Sequence, residues 1–299
     1  MSQDKNLTEQ FERSRLRLKA LAYRMLGNIA DADDALHDSW LRMSKRPIDL
    51  GEIENIEGWL TTVVARVCLN KLRARKARPE NAVGLVLPDL LITDVNETGA
   101  EHDVHLSEQV GFALQVVLET LAPAERVAFV LHDLFGFSFD NIASMLDRTP
   151  EAARKLASRG RRRIQHMPDT RFEKDRQKQR DVVTAFFAAS QRGDINDLLR
   201  ILHPDVTFVS DGGILRVAAT ATLRGSDKVA RRAASFAVAN ANLRWVLVNG
   251  STGVIVESDH GPVSVMVFMI EDGRIREIYS LIDPERIGQQ IMRADAYLN

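Results

Sequence analysis

The sequence predicts a multidomain chain in which two all-α domains, a helical bundle and a helix-turn-helix, precede an α+β domain. Three observations carry that reading. Apolar residues recur at helical spacing from Phe11 to Arg78 and again from Glu108 to His166. From Val206 onward, alternating or β-branched runs take over. Between those runs stand Asn249-Gly250 and Asp272-Gly273, pairs that favour tight hairpin turns because both residue types tolerate positive φ. The 299 residues suffice for about two or three domains. A composition of 45% hydrophobic and 27% charged residues is that of a folded chain rather than a disordered one.

In the first bundle the helical stripes are Leu18, Leu21, Ala22 and Met25, then Ala35, Trp40 and Leu41, then Trp59, Leu60, Val63 and Val67. Asn28 and Asp31 mark a break and restart, and Pro47 to Gly58 reads as a loop. Pro79 to Ser107 loses the periodicity and carries Gly84, Pro88 and Gly99, which makes it a linker. After Met167 comes a charged stretch, then a helix over Asp181–Arg192 and a shorter one with Ile195, Leu198, Leu199 and Leu202. Strands are predicted at Val206–Val209, Leu243–Val248, Gly253–Glu257, Val263–Ile270 and Arg274–Leu281, in a mostly antiparallel sheet. The expected domains are therefore 8–78, 108–166 and 178–292, with a linker over 79–107.

Net charge is −1, yet the charge is uneven. Arg148 to Arg163 holds seven basic residues against Glu151 alone, and Val63 to Arg78 holds six and no acid. Two basic blocks on a neutral chain suggest two contacts with a polyanion. The single cysteine, Cys68, excludes an internal disulfide and sits in an apolar run as a core residue. Met1 to Arg15 lacks the apolar stretch of a signal peptide, and Pro262–Ile270 is too short to span a bilayer. The expectation is a soluble cytoplasmic protein with no membrane contact. His102 and His105 are too sparse for a metal site, and neither HExxH, CxxC nor a P-loop is present, so no metal or cofactor is expected.

The most specific local pattern runs from Ser138 to Ile164. Ser138 can cap a short helix with apolar Phe139, Ile142, Ala143 and Leu146. Asp147-Arg148 makes the turn, and Thr149 caps a second helix with Pro150 at its first position and Glu151 favourable to the dipole. Ala153, Leu156, Ala157, Gly160 and Ile164 form one stripe, small enough for close approach to the first helix. Glu151, Lys155, Ser158 and Arg162 face the other way, flanked by Arg154 and Arg159. A small-residue stripe backing a polar, basic face suits a helix that enters the major groove.

The segments Leu121–Leu131, Phe137–Ala143 and Thr149–Arg159 resemble region four of the extracytoplasmic-function sigma factors. Asp31–Leu41 is similar to the acidic helix with which region two of such factors binds RNA polymerase core, and Trp59–Asn70 resembles the helix that opens and reads the minus-ten element. The resemblance implies core-polymerase contacts by Asp31, Asp33, Asp34, Asp38, Leu36 and Trp40, the last two as apolar anchors. It implies promoter-DNA contacts by Arg66, Asn70, Lys71 and Arg73 in region two and by Thr149, Glu151, Arg154, Lys155, Ser158, Arg159 and Arg162 in region four. Trp59 is read as packing between region-two helices.

Residues Asp181–Ile291 resemble the cone-shaped fold of nuclear transport factor two and the SnoaL cyclases, through the order helix, helix, strand, helix, long antiparallel strands and through Arg192-Gly193-Asp194 and His203-Pro204-Asp205-Val206. Sigma factors with this appended domain form a group whose features are similar to three stretches here. Asp211-Gly212-Gly213 resembles a glycine-rich turn, with Ile214 where another glycine is common. Asp283-Pro284-Glu285-Arg286-Ile287 resembles an Asn-Pro-Asp-Lys-Leu signature. Gly84–Leu90, with Pro88, corresponds to a Trp-Leu-Pro-Glu-Pro linker in which Val86 and Leu90 replace the tryptophan and final proline. The implied role of Pro88, Asp211, Gly212, Gly213, Asp283 and Pro284 is regulatory contact. The cyclases use an acid–base pair inside the cone, and Asp211, His203, Asp259 and His260 are candidates by residue type. Small-ligand sensing or structural contact is the expectation here, not enzymatic turnover. Two other readings stay open: a ligand-responsive helix-turn-helix regulator that works without polymerase, and a cyclase or isomerase fused to a DNA-binding part.

Overall fold

The computed structural model describes residues 2–45, 53–77, 87–94, 111–165, 172–173, 175–213, 216, 219–235 and 241–296. Pro47, Arg78, the linker stretches 79–86 and 95–107 with Gly84, Val86, Gly99, His102 and His105, and Ile214 lie outside them. The chain divides into two compact units, Met1–Ala82 with Gln115–Met167, and Val83–Leu114 with Pro168–Asn299.

In the first unit α1 (Ser2–Leu26), α2 (Ile29–Ser44) and α3 (Ile56–Ala77) form a bundle. Its core includes Leu18, Leu21, Met25, Ala35, Leu60 and Val64, all buried. α1 stops at Gly27, whose φ of +71° only glycine adopts cheaply. α2 begins at once because the Asn28 side chain accepts the Asp31 N–H at 2.8 Å. Cys68 is fully buried, and burial pushes its thiol up to about 12, which leaves it unreactive at neutral pH.

The same unit contains α5 (Pro123–Phe129), continued by a π-helical turn over Val130–Leu134, then α6 (Phe139–Leu146) and α7 (Pro150–Gln165). α4 (Phe112–Thr120) precedes them. Arg126, only 3% exposed, joins the two halves of the unit. It grips Glu119 with two hydrogen bonds of 2.9 and 3.0 Å and donates to the carbonyl of Met25 at 2.9 Å. A buried guanidinium needs such partners to offset lost hydration.

In the second unit α8 (Arg176–Arg192), α9 (Ile195–Ile201) and α10 (Ser226–Ser235) accompany a seven-stranded sheet. Its strands are β1 (Ile92–Asp94), β2 (Leu202–Asp211), β3 (Ala221–Arg224), β4 (Asn242–Val248), β5 (Ser251–Ser258), β6 (Gly261–Glu271) and β7 (Arg274–Leu281), in the order β1-β4-β5-β6-β7-β2-β3. Neighbours are antiparallel except β2 and β7. α11 (Pro284–Ala296) follows. Val183, Phe186, Leu198, Val229, Val254 and Phe268 belong to one core of helix and sheet residues. Asn249 and Asp272 adopt φ of 49° and 50° in the two hairpin turns.

Five elements differ from the sequence reading, among them β3, where no strand was expected. Ile92–Asp94, in the expected linker, is an edge strand paired with β4. α8 starts at Arg176, where Asp175 accepts the Gln177 and Lys178 N–H groups, and not at Asp181. Its first turn is exposed and carries no apolar stripe. The short β2 extends to Leu202, and α11 continues past the Asp283 signature as a helix. On β7 the Tyr279 hydroxyl donates to Glu277 at 2.7 Å. Burial raises the Glu277 carboxyl above the usual carboxylate range, and burial likewise raises the Tyr279 hydroxyl. No helix among the described residues is long and apolar enough to cross a membrane.

Candidate nucleic-acid interface and linker clamp

The α6–turn–α7 element is built by its caps. Ser138 Oγ accepts the Asn141 N–H, Asp147 ends α6 in the left-handed conformation, and Thr149 Oγ1 accepts the Ala152 N–H at 3.2 Å. Ala153, Ala157 and Gly160 face inward. A Cβ on Gly160 would stand 3.1 Å from Phe129 Cβ and 3.3 Å from the Glu125 carbonyl, which explains the small residue there. Glu151, Arg154, Lys155, Arg159 and Arg162 are exposed, with Ser158 half-buried beside them. The Arg154 guanidinium lies over the Phe139 ring at 5.1 Å, so it is steered rather than loose. Backbone N–H bonding and the Thr149 hydroxyl hold the Glu151 carboxyl below the usual range.

Two members of the basic block serve the fold instead. Arg161 makes hydrogen bonds of 2.8 and 2.6 Å to Asp133. Arg163 donates to the Thr120 carbonyl at 3.1 Å and lies 3.7 Å from Glu125. Charge counting cannot separate these two from Arg159 and Arg162, since only the helix phase against α5 does so.

On α3, Arg66, Asn70 and Arg73 are exposed and share one stripe at i, i+4, i+7 spacing. Arg66 donates to the Ser144 carbonyl in α6 at 2.9 Å. Trp59 is half-buried and lines a cleft with Phe135, Phe137 and Asn141, so it is a wall between region-two and region-four helices. Lys71 turns to the acidic helix and sits 3.4 Å from Asp38 and 4.0 Å from Asp34.

On α2, Asp33 and Asp34 are exposed while Asp31 and Asp38 are half-buried, and Asp33 pairs with Lys19 at 2.9 Å. Surface pairs of this kind contribute about 0–1 kcal/mol each. Leu36 is 4% exposed and part of the core, so it offers a partner little area, though its edge lines a surface groove with Phe11, Asp33, Asp34 and Trp40. Trp40 is half-buried with its ring 5.3 Å from that of Phe11. The apolar residue on the outer face is Leu41, 38% exposed, at i+7 from Asp34. A helical wheel phased on buried Ala32, Ala35 and Ser39 would have found it.

In the second unit the residues singled out for regulatory contact meet around one carboxylate. Asp211, 2% exposed at the end of β2, accepts the Leu87 N–H at 2.8 Å and Arg286 Nη1 at 2.7 Å through Oδ2. Its Oδ1 accepts the Gly213 N–H at 3.0 Å. The other Arg286 nitrogen donates to the Leu87 carbonyl at 2.7 Å and lies 3.5 Å from Asp89. Leu87, Pro88, Asp89 and Leu90 are all buried. Asn249 extends the hold by pairing both ways with Leu91, each bond 2.9 Å.

Asp283 caps α11 by accepting the Glu285 and Arg286 N–H groups at 3.0 and 3.3 Å, with Pro284 at the first helical position. That cap aims Arg286 at Asp211. Gly213 has φ of +58°, and a Cβ there would collide with the Asp283 carboxylate. A Cβ on Gly212 would collide with the Arg216 carbonyl. Arg286 itself was not singled out from the sequence; its signal was the lysine position of the resembled signature.

The residues considered as an acid–base pair are not assembled inside the sheet domain. Asp211 is committed to the linker, His203 lies 3.1 Å from Arg276, and Asp259 and His260 are exposed between β5 and β6. Phe186 is core, while Phe187 and Trp245 pack against it.

A basic helix-turn-helix beside a bundle with an acidic helix and a basic helix is the arrangement of a two-region sigma-70-type factor. The model described as Sigma-70 region 2 matches residues 10–78, and Sigma-70, region 4 matches residues 111–164. The chain is 34% identical over 290 residues to the ECF RNA polymerase sigma factor SigJ of Mycobacterium tuberculosis, covering 93% of this chain and 92% of that one. It is 30% identical over 299 residues to the probable ECF RNA polymerase sigma factor SigI of the same species, covering 96% and 97%. The crystal structure of Mycobacterium tuberculosis SigJ matches with a TM-score of 0.69 at 32% identity, covering 94% of this chain and 98% of that chain. The chain belongs to the extracytoplasmic-function sigma factor family.

Proposed function

We propose that this chain binds RNA polymerase core, directs it to promoters with minus-ten and minus-thirty-five elements, and is regulated through its own C-terminal domain. The observation that carries the regulatory half is the buried hold of Arg286 and Asp211 on Leu87. It ties the segment between regions two and four to the α+β domain. The core-binding face is Asp33, Asp34, Asp38, Trp40 and Leu41 of α2, acidic with an apolar residue among the charges. Asp31 lies at the start of that face. Arg66, Asn70 and Arg73 hold melted DNA, with Lys71 orienting the acidic helix beside them. Arg154, Lys155, Ser158, Arg159 and Arg162 read the upstream element, with Thr149 and Glu151 at the helix start.

The Arg66 bond to Ser144 occupies a DNA-facing side chain with a region-four carbonyl, so DNA engagement exchanges that bond for phosphate. The α+β domain acts by holding the linker. A factor that acts on core polymerase works where the polymerase and the chromosome are, in the cytoplasm.

The test is reconstituted transcription with core polymerase and genomic fragments, using the intact chain and its Arg286→Ala variant. Promoter-specific starts absent with core alone are expected, with a changed yield for the variant. Tight promoter binding without core and no starts from either protein would favour the polymerase-independent regulator instead.

A further inference from the structure

The π-helical turn, α6 and α7 meet on one aromatic ring. Phe139, the first residue of α6, is half-buried. The His132 imidazole, from the π-helical turn, stacks on that ring with centroids 4.0 Å apart and planes inclined by 28°. The Arg154 guanidinium, from α7, lies over the same ring at 5.1 Å. His132 is itself held, because its Nδ1 stands 2.9 Å from the Phe137 carbonyl, a group that only accepts. Nδ1 therefore carries the proton, and the backbone leading into α6 sets the plane of the imidazole.

This contact bears on how α7 meets DNA. A free arginine side chain turns about several bonds and settles on phosphates, which are alike in every sequence. Glu151, at i−3 on α7, could also draw the guanidinium back along the helix. A flat aromatic surface gives it another hold. The guanidinium rests on the ring by its face, and its N–H groups stay free at the edge. An edge presented in a fixed plane is what bidentate pairing with guanine requires. Among the described residues Arg159 and Arg162, exposed on the same helix, have no such ring beneath them.

We propose that Phe139, backed by His132, is a positioning residue for promoter specificity: it presents Arg154 to a base edge of the upstream element. This role rests on the reading of α7 as the promoter-reading helix, and the experiment separates the two.

The probe is a library of random-sequence DNA duplexes, from which holoenzyme made of core polymerase and the intact chain enriches its preferred upstream element, read by sequencing. Arg154→Ala should lower the preference at one base pair at least about fivefold. Phe139→Leu should lower it at that same pair by a comparable factor, and Phe139→Tyr should keep it. The doubly substituted chain should fall no further than Arg154→Ala alone, because Phe139 acts through Arg154. Undiminished preference in Phe139→Leu, or no change for Arg154→Ala, would overturn the positioning role and leave the sigma reading standing. Loss spread over the whole element, in Phe139→Leu and Phe139→Met alike, would make Phe139 a packing residue and overturn the role as well. Failure of the unaltered holoenzyme to enrich any sequence would overturn both.

Discussion

Arg286 reaches Leu87 across 199 residues of sequence, its Nη2 2.7 Å from the Leu87 carbonyl, while Asp211 holds the N–H of that same residue. One residue of the linker is thus gripped at both its N–H and its C=O by two side chains that are also paired with each other. A backbone segment held this way needs no particular side chain of its own. The grip therefore persists here although Leu90 stands where relatives of the resembled group carry proline.

Arg286→Ala leaves the Asp211 carboxylate buried without its cation and costs about 3 kcal/mol in the stability of the second unit. Amide hydrogen exchange should then lose protection at Leu87 and Leu91 ahead of β5 and β6. Unchanged protection at Leu87 would mean that Asp211 alone holds the linker.

Arg159→Ala and Arg161→Ala, two positions apart on α7, should act differently. Arg159→Ala weakens binding to the upstream promoter element by about 1–3 kcal/mol and changes promoter preference. Arg161→Ala loses its bonds to Asp133, lowers stability by about 1 kcal/mol and keeps promoter preference. Promoter-binding titrations and urea unfolding of both variants separate the two outcomes.

Leu36→Ala removes a core side chain and should cost about 3 kcal/mol of stability. Leu41→Ala removes an exposed one, leaves the unfolding midpoint where it was and weakens core-polymerase binding. Equal core affinity for Leu41→Ala and the unaltered chain would take Leu41 out of the interface.

Glu277 gives a pH dependence whose sign follows from its raised carboxyl. The stabilisation is complete below the unfolded carboxyl pKa of about 4.3 and is lost as pH rises through the higher folded value, where ionisation inside the fold becomes unfavourable. Thermal unfolding of Glu277→Gln should show a flatter profile from about pH 4 upward. A profile parallel to that of the unaltered chain would remove Glu277 as the cause.

How much of this was legible depended on pattern length. α6 and α7 announced themselves because Ser138, Asp147 and Thr149 are local cap and turn chemistry and the alanine–glycine stripe is long enough to phase. β1 did not, because Ile92–Asp94 is too short to alternate and its strand character comes from β4. Leu36 and Leu41 were confused because α2 has apolar residues on both faces, and burial was decided by α1 and α3. Asp211, Gly212, Gly213, Asp283 and Pro284 were visible as stretches of sequence. That they converge on one carboxylate is tertiary information, since β2 and α11 are far apart in sequence and meet only when the sheet has formed.

The clamp also has a timetable. Regions two and four and the linker are synthesised before β2 and α11 exist, and Arg286 follows Leu87 by 199 residues. At about 5–20 residues per second that interval lasts about 10–40 seconds. Every newly made molecule therefore passes through a period in which its regions two and four are complete and its linker is unheld. The hold closes last, by the domain that is made last.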